Sequence, residues 1–269
     1  MKVSIIIPCY NSSKFFDRLK ASILNYLNNN DYEIIFINDK SSCEEKILFL
    51  NFLNELNAIN VSYIENDVNL GASISRKKAV NKSKGKYIAF LDSDDAWHMG
   101  KIALQYDLME KCNIDILGGL TNVVEDGEFI VINKEDIRNA EVKKLNFLNF
   151  LFKNYYSTPS VMVKRDVILD ENFSDEFRYS EDYECWRRIA FKYNAYFMLE
   201  SYTYSFKHPY ISDTNSLSTN LIQMSLGELK GLFFLFKKKM PIYLYFMVFF
   251  AIIFSFLKAL RRMIQSYIG

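Results

Sequence analysis

Asp92-Ser93-Asp94-Asp95 follows Tyr87-Ile88-Ala89-Phe90-Leu91, so three carboxylates stand within four residues where an apolar run ends. Crowded carboxylates repel one another unless a cation lies among them. Hard oxygen ligands in a D-x-D arrangement suit Mg2+ or Mn2+, with a diphosphate and water completing the octahedron. An EF-hand loop begins in the same way, but it needs Gly at its sixth position and Glu at its twelfth, where Trp97 and Ala103 stand. The plain alternative is an acidic helix cap, for which one aspartate suffices. A second acidic pair, Glu181-Asp182, opens a segment with Trp186 and Ile189 at i+4 and i+7 from Asp182, an apolar face that would anchor a carboxylate at a helix start. Asp182 so placed can act as a general base, while a favourable helix-dipole contact would explain the same pair without chemistry.

Other phosphate cradles are missing. Gly85-Lys86 has Val80 where a P-loop needs its first glycine, and there is no G-x-G-x-x-G. Cys9, Cys43, Cys112 and Cys185 are widely spaced and His98 and His208 are the only imidazoles, so neither a zinc cage nor a disulfide framework is expected.

The elements that must position these carboxylates are legible as an alternation. Val3 to Ile7, Glu33 to Asn38, Val61 to Ile64, Tyr87 to Leu91 and Ile114 to Leu117 read as short buried strands. Between them, 14–27, 45–56, 72–83 and 101–111 carry helical periodicity. Such alternation argues a mostly parallel sheet with helices on both faces, whose ligands gather beyond the carboxyl ends of the strands. Asn11, Asp39, Asn66 to Gly71 and Asp92 to Asp95 follow those runs and should converge at one edge. Past residue 118 the pattern weakens into a hairpin turn at Glu125-Asp126-Gly127-Glu128, a helix near 145–152, a strand at 161–164 and a helix from Ser180. Met1 to Pro8 reads as a first strand, not a secretion signal.

A net charge of +1 over 269 residues gives no basic field for nucleic acid. The balance is uneven along the chain, since no acidic residue follows Glu228 while Lys230, Lys237, Lys238, Lys239, Lys258, Arg261 and Arg262 do. Within this tail Ile242 to Leu257 has sixteen residues without a charge, about 24 Å of helix against a hydrocarbon core of ~30 Å. A segment lying in a membrane interface fits this better than a single span, and a helix buried at a subunit contact is the alternative.

The motifs taken together resemble family 2 glycosyltransferases of the GT-A fold. The likeness lies in Ile6-Ile7-Pro8-Cys9-Tyr10-Asn11, Asn38-Asp39-Lys40-Ser41, Asn69-Leu70-Gly71 with Arg76, Gly85 to Trp97, and Ser180-Glu181-Asp182-Tyr183-Glu184-Cys185-Trp186, and covers roughly residues 3–218. It implies an α/β fold with an added apolar helical tail: 1–118 holding the nucleotide sugar, 119–218 the acceptor and base, and 219–269 meeting the membrane. Pro8, Tyr10, Asn11, Asp39, Asn69, Gly71, Arg76, Asp92 and Ser93 would bind the nucleotide sugar, with Asp39 reading the base, and Asp94 would hold Mn2+ or Mg2+. Asp182 would be the catalytic base and Glu181 would orient its loop, while Ser160, Trp186 and His208 would lie on the acceptor side. Trp97 and Trp186 are candidates for stacking on sugar faces. Asn38 stands where Asp is frequent and Lys40 where Gly is frequent, which puts the loop geometry in question.

The implied activity is inverting transfer of a hexose from a nucleotide diphosphate sugar, UDP-linked, to a lipid-linked saccharide at the cytoplasmic face of the inner membrane, in capsule or lipopolysaccharide assembly. The alternatives are transfer to polyprenyl phosphate, a sugar nucleotidyltransferase releasing pyrophosphate, or a scaffold without turnover.

Overall fold

Along the first apolar run Val3, Ile5 and Ile7 alternate with Ser4 and Ile6, and a strand sends successive side chains to opposite faces. In the computed structural model, which describes residues 1–124, 140–206 and 220–268, this run is β1 (Val3–Cys9). It lies parallel to β2 (Tyr32–Asn38) and β4 (Tyr87–Phe90), with β3 (Val61–Glu65) parallel to β2 on its far side. Ile5 and Ile7 enter a core with Leu19 and Ile23 of α1 (Phe16–Ile23), Phe49 and Phe52 of α2 (Cys43–Leu56), and Ile102 and Met109 of α4 (Lys101–Cys112). Ile6 enters the opposite core with Ala79 and Val80 of α3 (Gly71–Lys82) and Trp186 and Ile189 of α7 (Glu181–Lys192). Strands covered on both faces must be apolar throughout, which is why they read as unbroken runs. Because β1 has β2 on one side and β4 on the other, the connections leaving β1 and β4 diverge and open a crevice at their carboxyl ends.

The sheet continues into the second half in the order β4-β8-β6-β9-β5, formed by β8 (Met162–Lys164), β6 (Ile116–Val123), β9 (Ala195–Ser205) and β5 (Asp95–Trp97), with β7 (Val142–Leu145) also on β9. Here β6 and β9 are parallel and the other pairings antiparallel. The helical stretch at 14–27 is divided, since one-turn 3-10 segments flank α1. β5, β7 and β9 lie outside the expected pattern: β5 forms because Asp95 N donates to Asp92 O at 3.1 Å and the turn lays the next residues onto β9. The expected turn at Glu125 to Glu128 lies outside the described residues.

Three side chains assigned to sugar or acceptor contact lie in the core instead. Trp97 and Trp186 are fully buried; the Trp97 indole donates to Pro159 O at 2.7 Å, and Trp186 packs against Phe90 and Phe173. Ser160 is also buried, its hydroxyl donating to Ser157 O at 2.8 Å and accepting from Gly119 N at 3.2 Å. None has a surface to offer a sugar, because the helix face that anchors Asp182 also draws Trp186 inward.

The tail folds as α8 (Leu221–Phe234) and α9 (Ile242–Ile268). Helical structure extends well beyond the uncharged sixteen residues, and Ile242–Arg262 is long and apolar enough to cross a bilayer by length and composition. One stripe of α9, Leu244, Val248, Ala251 and Ser255, is nevertheless buried, its apolar members clustering with Leu232 of α8 and with Phe147 and Leu151 of α5 (Phe147–Phe152). Tyr243, Phe246, Phe249, Phe250, Phe256 and Leu257 are exposed. Lys258 donates to the buried Glu228 at 2.7 Å and Arg262 to Ser225 at 3.1 Å, which ties α9 to α8, while Lys238 donates to Glu171 at 2.9 Å and ties the tail to the body.

As a core residue Trp186 carries stability: Trp186→Ala should lower the unfolding free energy by about 3–5 kcal/mol in urea denaturation. A loss below about 1 kcal/mol with abolished sugar binding would return Trp186 to the site.

Candidate active site

Four loops converge at the crevice, as the strand ends require. Asp39, just past β2, is buried, and its backbone N–H donates to Cys9 O at the end of β1 at 2.9 Å. Its Oδ1 accepts from Asn66 Nδ2 and Leu70 N, both at 2.8 Å, and its Oδ2 accepts from Gly71 N at 2.7 Å. Three bonds on a carboxylate leave one acceptor position of about four. Asp39 thus fixes the start of α3, with Gly71 at φ +82. Asn69 adds a bond to Asp39 O at 3.3 Å, and Asn11 exchanges bonds with Ser41 and Ser42 at 3.0 Å each. Tyr10 is exposed at the rim and Pro8 is half-buried. Lys40 holds φ +61, so the left-handed turn that glycine would give survives the substitution, and Asn38 secures it by accepting from Ser41 N at 3.1 Å.

Arg76, on α3, is 4% exposed and joins the two halves of the chain. One guanidinium nitrogen donates to Asp92 Oδ1 at 2.5 Å and another to Glu181 Oε1 at 3.1 Å. Burial works to lower its pKa, and the charges of Asp92 and Glu181 more than reverse that. Asp182 stands beside Glu181 in the first turn of α7, where its Oδ2 accepts from Thr158 Oγ1 at 3.2 Å and its Oδ1 from Tyr183 N at 2.6 Å. Burial pushes the Asp182 carboxyl up, against the pull of Tyr183 N, Arg76 and Thr158. Burial and the charge of Asp182 push Glu181 up to about 7.

Asp92, Ser93 and Asp94 form the turn after β4 at the same edge. Among the described residues no three His, Cys, Asp or Glu side chains gather into a cation cage. Asp92 is engaged by Arg76, and Asp94 and the buried Asp95 are the other carboxylates this corner could offer a cation together with diphosphate oxygens and water. That donor set suits Mg2+ or Mn2+, which need no all-protein cage. His208 lies outside the described residues. The link from Arg76 to Glu181 and the Thr158 bond to Asp182 were not anticipated. A hydroxyl beside Pro159 was the available signal for Thr158, while the Arg76 contact spans 105 residues and leaves no local pattern.

The model of glycosyl transferase family 2 matches residues 4–169. A UDP-Glc:alpha-D-GlcNAc-diphosphoundecaprenol beta-1,3-glucosyltransferase, WfgD of Escherichia coli, is 31% identical over 189 residues, covering 70% of this chain and 69% of its own. Coverage of other relatives is 65% of the length of one and 71% of another. Among solved structures, S. aureus TarS 1–349 in complex with UDP-GlcNAc superimposes at TM-score 0.66 with 17% identity, over 90% of this chain and 68% of that one. A mannosyltransferase from Pyrobaculum calidifontis in complex with GDP-Man and Mn2+ gives 0.62 with 12% identity, over 98% and 75%. These likenesses establish the GT-A fold.

Burial raises both carboxyl pKa values, so the Glu181/Asp182 pair holds protons above the ordinary carboxylate range and kcat/KM should rise with pH as the pair ionises. Glu181→Gln should shift that limb to lower pH, because a neighbouring negative charge is gone. A group whose pKa is raised by folding stabilises below its unfolded value of 4.5 and loses that contribution as pH rises through about 7. The wild type should therefore lose melting temperature relative to Glu181→Gln between about pH 5 and pH 8. A pH-rate profile flat across that interval would contradict the assignment.

Proposed function

The chain belongs to glycosyl transferase family 2, and from that premise we propose that it is an inverting hexosyltransferase. It takes the sugar from a UDP-sugar and places it on a lipid-linked saccharide in surface-polysaccharide assembly. The observation that carries this reading is the buried Arg76, which holds Asp92 on the donor side and Glu181 on the base side within one guanidinium's reach. The printed activity of WfgD, with a UDP-sugar donor and a diphosphoundecaprenol-linked acceptor, supports the substrate classes, and the UDP-GlcNAc complex of TarS supports the nucleotide.

In this reading residues 1–118 hold the donor. Pro8, Tyr10 and Asn11 line the base pocket, and Asp39 gives its remaining acceptor position to a base N–H. Asn69, Gly71 and Ser93 contact the nucleotide, and Asp92 the ribose or sugar. Asp94 would hold a Mg2+ or Mn2+ ion, which when bound offsets the charge of the departing diphosphate. Residues 119–218 present the acceptor. Its hydroxyl oxygen attacks the anomeric carbon from the face opposite the leaving group, and Asp182 takes the proton. Thr158 and Tyr183 N fix the carboxylate for that transfer, and Glu181 keeps the loop against Arg76. A nucleotidyltransferase would leave Glu181 and Asp182 without a role.

Residues 219–269 place the enzyme on the cytoplasmic face of the inner membrane. With one stripe of α9 docked on the body, the helix lies along it, and its exposed phenylalanines fit the acyl boundary of a bilayer in a monotopic arrangement. Lys237, Lys239 and Arg261 are exposed to meet anionic headgroups.

Nucleotide sugars screened with and without EDTA, scored by the nucleoside diphosphate released, test the reading. UDP should be released from one UDP-sugar, stop in chelator and return with Mn2+ or Mg2+. Transfer unchanged in EDTA would remove the role of Asp94, and pyrophosphate release would overturn the reaction class.

A further inference from the structure

Ser180 immediately precedes the acidic pair and has φ +54. Residues other than glycine hold that left-handed backbone where their surroundings impose it. The surroundings here are α8. Ser180 Oγ donates to Met224 O at 2.9 Å, and a Cβ on Gly227 would stand 2.3 Å from Tyr179 O. The helix therefore lies flush on the Tyr179-Ser180 backbone, and a hydrogen atom is the largest substituent that fits at 227. One turn further, Gly231 faces α7, where a Cβ would be 3.1 Å from an Arg187 guanidinium nitrogen.

On its other side α8 is fixed by α9. The buried Glu228 accepts from Ser255 Oγ at 3.0 Å and from Lys258 Nζ at 2.7 Å. The contacts thus run unbroken from the apolar tail helix through α8 to the residue before the catalytic pair. The geometry points to Ser180 and Gly227 as positioning residues: α8, held by α9, imposes the left-handed turn that aims Asp182 at the acceptor. This rests on the reading of Asp182 as the base. Ser180 Oγ bonds to α8 and Gly227 abuts Tyr179, whereas the proposed donor site is built from loops of the first half of the sheet.

Ser180→Ala removes the hydroxyl bond to Met224 and keeps a Cβ that resists positive φ, so the turn loses the contact that imposes it. Gly227→Ala is the complementary variant, pushing α8 off Tyr179 while favouring the helix itself. In the full-length protein, UDP release from UDP-glucose, UDP-galactose and UDP-GlcNAc and the dissociation constant for UDP alone are measured for both variants and for Asp182→Asn. Each positioning variant should lower kcat by roughly tenfold or more, because small misplacements of a reacting group are costly. UDP affinity should stay within about twofold. Both variants at wild-type kcat, with Asp182→Asn inactive, would overturn the positioning role and leave the base assignment standing. Loss of UDP binding in parallel with kcat would also overturn it, since the effect would then be global. An active Asp182→Asn would overturn both.

Discussion

A guanidinium taken out of water must find anions in fixed places, because removing one partner of a buried pair costs about 3–5 kcal/mol. Arg76 meets that demand with Asp92, sixteen residues away, and Glu181, 105 residues away. The rest of the site follows from this constraint. Asp92 follows the parallel half of the sheet and Glu181 opens the helix packed behind it, so one side chain sets the separation between the two acidic clusters to which the proposed reaction gives the leaving group and the proton. Asp39 does similar work on a smaller scale, drawing the start of α3, and with it Arg76, against the end of β2.

In the proposed reaction the two acidic clusters divide the chemistry. Asp92 and Asp94 stand at the open edge of the sheet, whereas Glu181 and Asp182 sit where burial disfavours charge. In the proposed reaction a carboxyl whose pKa burial raises suits proton transfer, and a carboxylate in the turn after β4 suits a cation that meets a diphosphate. The separation comes from topology: β4 delivers the first cluster at the switch point, and α7 delivers the second through a left-handed residue.

The first half of the fold was legible because strands buried on both faces are continuously apolar and their helices carry a 3.6-residue period. The convergence of Asn11, Asp39, Asn66 to Gly71 and Asp92 at one edge followed from the parallel order alone. The second half was harder. β5 has three residues and β7 four, too short for a period, and β9 alternates around a bulge in its pairing with β6. Trp186 carries two readings in the sequence, an apolar anchor for Asp182 and a sugar contact, because an aromatic beside an acidic pair suits both, and the helix direction, toward Phe90 and Phe173, decides for the first. Burial of one stripe of α9 was likewise hidden by a segment apolar all round.

Coupling between the halves is most directly measured by a double-mutant cycle on Arg76→Lys and Glu181→Gln, read as kcat/KM for the UDP-sugar that is turned over. An ammonium cannot span both carboxylates as the guanidinium does, so each single variant should break the same bridge. The double variant should then be no slower than the worse single variant by more than about threefold. Losses that multiply, with each substitution acting independently, would contradict the account that this one ion bridge joins the donor and base sides.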